Sequence, residues 1–142
     1  MAYWLLKSEP DSYSFAQMQQ DRRTAWSGVR NHQAANNLRA MQPGDLAFFY
    51  HSNTGREIVG VVEILRTAYP DPSDASGKFV MVDVGKPVPM PQPIGLAEIK
   101  TIPALRDLPL LKQSRLSVMP ISGQEWQTLC KMGGYKPLGA KR

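Results

Sequence analysis

The sequence predicts a small α+β protein rich in loops, on three observations. Twelve prolines and eleven glycines in 142 residues cut the chain into short elements. Residues 45–66 carry the pattern of an antiparallel hairpin, two runs of aromatic and β-branched residues around a polar loop at Gly55. Helical periodicity is confined to short stretches with recognisable caps. The length suits one domain with a real core and is short for two, so a single domain is expected over residues 1–134. Residues 135–142 are basic and aperiodic and are expected to be a loose tail.

Tyr3 to Lys7 reads as a first strand, ended by Ser8-Glu9-Pro10-Asp11 because Pro10 lacks a donor and holds Glu9 extended. Ser14 is placed to cap a short helix from Phe15 to Gln20, with Phe15 and Met18 inward. Trp26-Ser27-Gly28-Val29-Arg30 fits no regular element. Asn31 then caps a helix on which Ala34, Leu38 and Met41 share a face. Pro43-Gly44 ends that helix and delivers the chain into the hairpin. In the first hairpin strand Leu46, Phe48, Tyr50 and Ser52 share one face, and Ala47, Phe49 and His51 the other. Both faces are apolar, which places the pair at the centre of a sheet covered on both sides.

Lys78 to Lys86 reads as a third strand, and Val88 to Pro93, with three prolines, as extended and irregular. Leu96 to Leu111 mixes helical turns with Pro103 and Pro109 and yields no single element. Ser114 to Pro120 reads as a short strand. Ser122-Gly-Gln-Glu125 is a capping box for a last helix carrying Trp126, Leu129 and Cys130 on one face and closed by Gly133-Gly134.

Composition excludes several classes of function. No apolar stretch approaches a membrane span, and the N-terminus lacks the pattern of a signal peptide. One cysteine precludes an internal disulfide and fits a reducing, cytoplasmic setting. Cys130 falls on an apolar helical face, and the only histidines, His32 and His51, stand far from it in sequence. No zinc spacing, phosphate loop or dinucleotide glycine pattern occurs, so neither catalysis, metal nor cofactor is expected. Charge is uneven. Residues 1–71 hold seven basic and seven acidic side chains, whereas residues 72–142 hold ten and five, an excess compatible with a polyanionic partner.

Binding chemistry concentrates where elements end. Lys7-Ser8-Glu9 offers a donor, a hydroxyl and an acceptor at one strand end. Tyr50, His51 and Ser52 do the same at another, and serve equally as core and edge residues. Trp26, beside Gly28, is either presented to a ligand or buried as a staple; if presented, its removal spares the fold. Arg30 and Arg39 flank a helix start where phosphate could be held.

Taken in order, Tyr3-Trp-Leu-Leu-Lys-Ser-Glu-Pro10, Trp26-Ser-Gly-Val-Arg-Asn31, Asn37-Leu-Arg-Ala-Met41, Gly44-Asp45, Phe48-Phe-Tyr-His-Ser52 and Ser114-Arg-Leu-Ser-Val118 resemble the EVE domain family. The resemblance covers all but the tail. It implies a PUA-like fold, a partly closed, mixed and largely antiparallel β-barrel with short flanking helices. It also implies kinship with YTH domains, which hold a methylated adenine in an aromatic cage lined by a lysine-serine-asparagine strand end and a tryptophan-serine pair. The similar positions here are Lys7-Ser8-Glu9 and Trp26-Ser27, and the second fragment adds Val29 and Asn31 to the expected site. Glu9 departs from asparagine; an ionised carboxylate only accepts, which suits an exocyclic amine such as cytosine N4. Tyr50 is the expected second aromatic.

The function so implied is a non-catalytic module that reads a modified base in DNA, modified cytosine first, with Arg30 and Arg39 on phosphates. The alternatives are an RNA-binding PUA-like module, for tRNA or another RNA, and, further off, an enzyme acting on a small ligand.

Overall fold

The computed structural model describes residues 1–136. The tail expected from residue 135 thus lies, from residue 137 on, outside the described residues. Tyr135 packs against the core, and its N–H donates to the Cys130 carbonyl at 3.0 Å.

Six strands form one mixed sheet: β1 (Tyr3–Ser8), β2 (Arg23–Trp26), β3 (Leu46–His51), β4 (Glu57–Pro70), β5 (Val80–Gly95) and β6 (Val118–Ile121), in the order β2-β5-β4-β3-β1-β6. Only β1 and β3 pair in parallel; every other pairing is antiparallel. The helices are α1 (Phe15–Asp21), α2 (His32–Ala40), α3 (Leu96–Ile99), α4 (Pro109–Lys112) and α5 (Gly123–Gly133), with a 3-10 turn at Pro103–Leu105.

Caps set the helix starts as the sequence predicts. Ser14 accepts from Gln17 N–H, Asn31 from Ala34 N–H, and Ser122 forms a reciprocal box with Glu125. The central hairpin is buried on both faces, with Ala47, Phe48 and Phe49 fully enclosed. Phe48 stacks on Trp126 of α5 at 4.0 Å between ring centroids, while Phe49 meets Phe15 of α1 on the opposite face at 5.2 Å. A buried carboxylate, Asp45, ties β1 to β3 by accepting from Trp4 Nε1 at 3.0 Å and from Ala2 N–H at 3.1 Å.

The sheet curls. Trp26 on β2 and Phe49 on β3 lie three positions apart in strand order, about 14 Å in a flat sheet, yet their ring centroids are 5.5 Å apart. Register breaks at Phe49/Tyr50 and at four places between β4 and β5 supply the bend. Gly60 lies within one of them, and a Cβ there would fall 2.2 Å from the Phe15 ring. The sheet stays open between β2 and β6. Helix α2 contacts both β6 and β5, and Asn37 Nδ2 donates to Val118 O at 2.7 Å, covering the β6 edge.

Three expectations need correction. Trp26 ends a regular strand, because Arg23–Trp26 pairs with β5 from Gly85 to Val82. Val88 to Pro93 continues β5 rather than leaving the sheet: Val88 and Pro89 pair with Val61 and Gly60, and prolines survive where the ladder is already broken. The strand expected over 114–120 begins only at Val118.

Candidate functional site

The parallel pairing of β1 with β3 brings two strand ends together. Ser8 lies opposite His51, and Ser52 N–H donates to Ser8 O at 3.0 Å. Because β6 runs antiparallel to β1, the residues leading into it arrive at the same end, and Lys7 N–H donates to Ser117 O at 2.9 Å. Sheet curl then carries Trp26 across this end. The result is a cavity of about 590 Å³ lined by Lys7 and Ser8 from β1 and Glu9 just past it, Thr24 to Trp26 from β2, Ser27 to Arg30 beyond it, Ser52, and Ser114, Arg115 and Ser117. Ser12 and Tyr13 complete the wall.

Trp26 is 8% exposed, so it is packed and presented at once. Its ring stands edge-on to Phe49 and to Tyr13, the latter at 6.2 Å, which fixes its plane. Removing it would empty a core position, contrary to the expectation that the fold is indifferent to its loss. Tyr13 is the aromatic partner that no sequence pattern singled out. Its hydroxyl donates to Asp21 Oδ2 at 2.8 Å; burial first, then that bond, pushes its pKa up to about 12, so it stays a neutral phenol.

Glu9 is exposed at the cavity and its main-chain carbonyl accepts from Ser12 and Tyr13, the turn that Pro10 enforces. Lys7 is partly buried. Its ammonium donates to Ser114 O at 2.9 Å, and burial lowers its pKa from the usual lysine value. Ser8 Oγ donates to the Tyr13 carbonyl and so holds the Tyr13 loop against β1.

The segment after Trp26 is clamped by a residue 43 positions away. Asp71 is buried, and its Oδ2 accepts from Gly28 N–H at 2.8 Å and from Arg30 Nη1 at 3.2 Å. Its Oδ1 accepts from Ser73 N–H and Oγ. Burial opposes the charge, but the bonds from Ser73, Gly28 and Arg30 outweigh it and hold the carboxyl at about 2. Gly28, at φ +81°, takes the left-handed turn this clamp requires. Asp71 stands in a surface loop with no periodicity, so no local pattern marks it.

The expected site residues therefore separate. Lys7, Ser8, Glu9, Trp26, Ser27, Val29, Arg30 and Ser52 line one cavity. Tyr50 does not: it shares the Phe48 face and lines a second cavity. His51 also stays outside, its Nε2 accepting from Phe15 N–H at 3.0 Å to cap α1, and burial lowers its pKa despite nearby Glu57. Asn31 spends its side chain on α2. Arg30 lines the cavity, but its guanidinium is engaged by Asp71 and, at 2.9 Å, by Ser73 Oγ. Arg39 is remote, donating to Asn36 Oδ1 and Lys78 O.

A curled mixed sheet with short flanking helices, holding an aromatic-walled cavity at the ends of its parallel strands, is the mixed α+β architecture of an EVE-type domain. The EVE domain model matches residues 2–132, and the chain belongs to the EVE domain family. Thymocyte nuclear protein 1 of Gallus gallus is 37% identical, over 95% of this chain and 70% of that protein. A solved structure from Rhodopseudomonas palustris is 54% identical with a TM-score of 0.89, covering 94% of each chain. Human thymocyte nuclear protein 1, solved in complex with DNA containing 5-methylcytosine, is 33% identical with a TM-score of 0.88, covering 96% of this chain and 100% of that one. No helix among the described residues is long and apolar enough to cross a membrane.

Proposed function

We propose that the protein reads modified cytosine in DNA, taking the base out of the stack into the Trp26 cavity and binding it without altering it. The observation that carries this reading is the pairing of an aromatic wall, Trp26 and Tyr13, with a carboxylate, Glu9, at one cavity of about 590 Å³. That volume falls within the roughly 300–1,000 Å³ of small-ligand sites. The human relative solved with DNA containing 5-methylcytosine supports the choice of ligand.

Energetics suit a modest reader. Stacking on an aromatic side chain supplies about 1–3 kcal/mol, against a few kcal/mol to extrude a base. A buried methyl adds about 0.8 kcal/mol. Modification therefore shifts affinity rather than creating it. Trp26 supplies the stacking surface and Tyr13 the edge that fixes it. Glu9 accepts from the exocyclic amine and repels a carbonyl in the same place, while Lys7, Ser8 and Ser27 offer the remaining polar contacts.

The test is affinity for matched DNA and RNA oligonucleotides bearing cytosine, 5-methylcytosine or uracil at one position. Methylated DNA is expected to bind best. Glu9→Gln adds a donor while keeping the shape, and is expected to narrow the gap between cytosine-type and uracil-type ligands, a gap of about 1–3 kcal/mol in the wild type. An unchanged gap would leave Glu9 a turn residue. Preference for the RNA series would transfer the site to RNA.

A further inference from the structure

A second cavity, of about 320 Å³, shares three walls with the first: Lys7, Ser52 and Ser114. Tyr50 and Arg56 line it, and no carboxylate does. Tyr50 is only 3% exposed, and among the described residues its hydroxyl has no hydrogen-bond partner. Every fully enclosed side-chain nitrogen or oxygen among those residues does have one, so the hydroxyl opens into this cavity. Arg56 enters no ion pair among the described residues, and only its Nε is used, donating to Asn53 O at 3.4 Å. The loop that carries it is held in the left-handed region at two non-glycine residues, Asn53 at φ +70° and Arg56 at φ +47°. L side chains adopt that backbone rarely and at a cost, and such conformations gather at ligand sites. Lys7 donates one of its three ammonium N–H groups to Ser114 O, and among the described residues the other two have no hydrogen-bond partner.

We propose that this second cavity is a phosphate subsite, taking a backbone phosphate of the same nucleotide whose base occupies the Trp26 cavity. Arg56 and Tyr50 donate to its oxygens, and Lys7, in the shared wall, contributes to both. A guanidinium, a phenol and an ammonium converge where no acidic side chain competes, and a phosphodiester oxygen pair is matched by the flat fork of an arginine. The loop strain fixes the Arg56 backbone in advance, so less freedom is lost on binding. This assignment rests on the base-reading function above, because only a base in the first cavity places a phosphate at the second.

The decisive comparison uses 5-methyl-2′-deoxycytidine and its 3′- and 5′-monophosphates, titrated into the full chain and followed by NMR. One monophosphate is expected to bind about tenfold more tightly than the nucleoside, and which one tells the side from which the backbone enters. In Arg56→Gln and in Tyr50→Phe, both of which retain the packing of the parent side chain, that ratio is expected to fall at least threefold. Equal affinity of nucleoside and both monophosphates in the wild type, or a ratio that survives both substitutions, would overturn the subsite and leave the base cavity standing. Failure of all three ligands to shift the Trp26 indole signal would overturn the base reading and the subsite with it.

Discussion

At the residue scale, two buried side chains illustrate how burial decides role. Trp26 is both core and cavity wall, so its variants must separate stacking from packing. Trp26→Ala leaves a hole beside Phe49 and is expected to cost about 3–5 kcal/mol of stability, measurable by chemical denaturation. Trp26→Phe keeps an aromatic face and most of the volume; it is expected to stay folded within about 1.5 kcal/mol while weakening 5-methylcytosine binding. Full affinity in a folded Trp26→Phe would show that the indole itself is dispensable. Cys130 is the contrasting case. Burial on α5 pushes its thiol up to about 12, so almost no thiolate exists at neutral pH. The native protein is expected to resist a thiol reagent until it unfolds, and Cys130→Ala to leave binding unchanged. Prompt labelling without denaturant would contradict both.

At the element scale, the segment from Ser27 to Arg30 owes its position to Asp71 rather than to its own sequence. The carboxylate satisfies Gly28 N–H, Arg30 and Ser73 together, and its pKa lies near 2. A folded-state pKa below the unfolded value stabilises at higher pH: the contribution is complete above about pH 4 and drains as pH falls towards 2. Asp71→Asn removes the charge and cannot serve all those donors. It is expected to cost about 2 kcal/mol at neutral pH and to flatten the fall in stability between pH 4 and 2. The flattening is partial, because hydrogen bonds also hold Asp74 at about 2 and lower the pKa of Asp83. An identical acid profile in the variant would mean that the clamp carries no charge-dependent stability. Base binding should weaken as well, since Trp26 is followed directly by the segment that comes loose.

At the scale of the whole molecule, part of the excess positive charge of the second half finds a place. The segment from Leu96 to Ser117 carries Lys100, Arg106, Lys112 and Arg115, all exposed, against Glu98 and Asp107. Lys112 pairs with Asp107 at 3.0 Å, while Arg115 lines the Trp26 cavity. Cations around an uncharged aromatic wall divide the binding energy into two parts with different salt responses. Affinity for an oligonucleotide is expected to fall with a log–log slope of about −2 to −3, as two or three phosphates are engaged. Affinity for the free nucleoside is expected to stay flat over the same salt range. A steep dependence for the nucleoside would mean that the cavity reads charge rather than the base.

What the sequence determined alone were the features whose physics is local. Ser14, Asn31 and Ser122 announce their helices because a side-chain oxygen and the N–H it accepts from lie within one turn. The alternation in residues 46–52 already separates Phe48 and Tyr50 from Phe49 and His51, and the strand ends at Ser8 and Ser52 follow from Pro10 and the Gly55 loop. The run of matching fragments marked the EVE family, and the resemblance put forward Trp26, Lys7, Ser8 and Glu9, which line one cavity. Tertiary structure decided which face of β3 Trp26 meets. Trp26 arrives on the Phe49 face because the sheet curls through a series of register breaks, and no single strand encodes that curl. Tyr50 was thereby sent to the second cavity and Tyr13 brought to the first. The Asp71 clamp and the hand-over of Arg30 to it were likewise invisible, because both rest on contacts more than forty residues apart in the chain. Such contacts exist only once the sheet has curled, so the chemistry offered by the cavity is written in the residues and its membership in the fold.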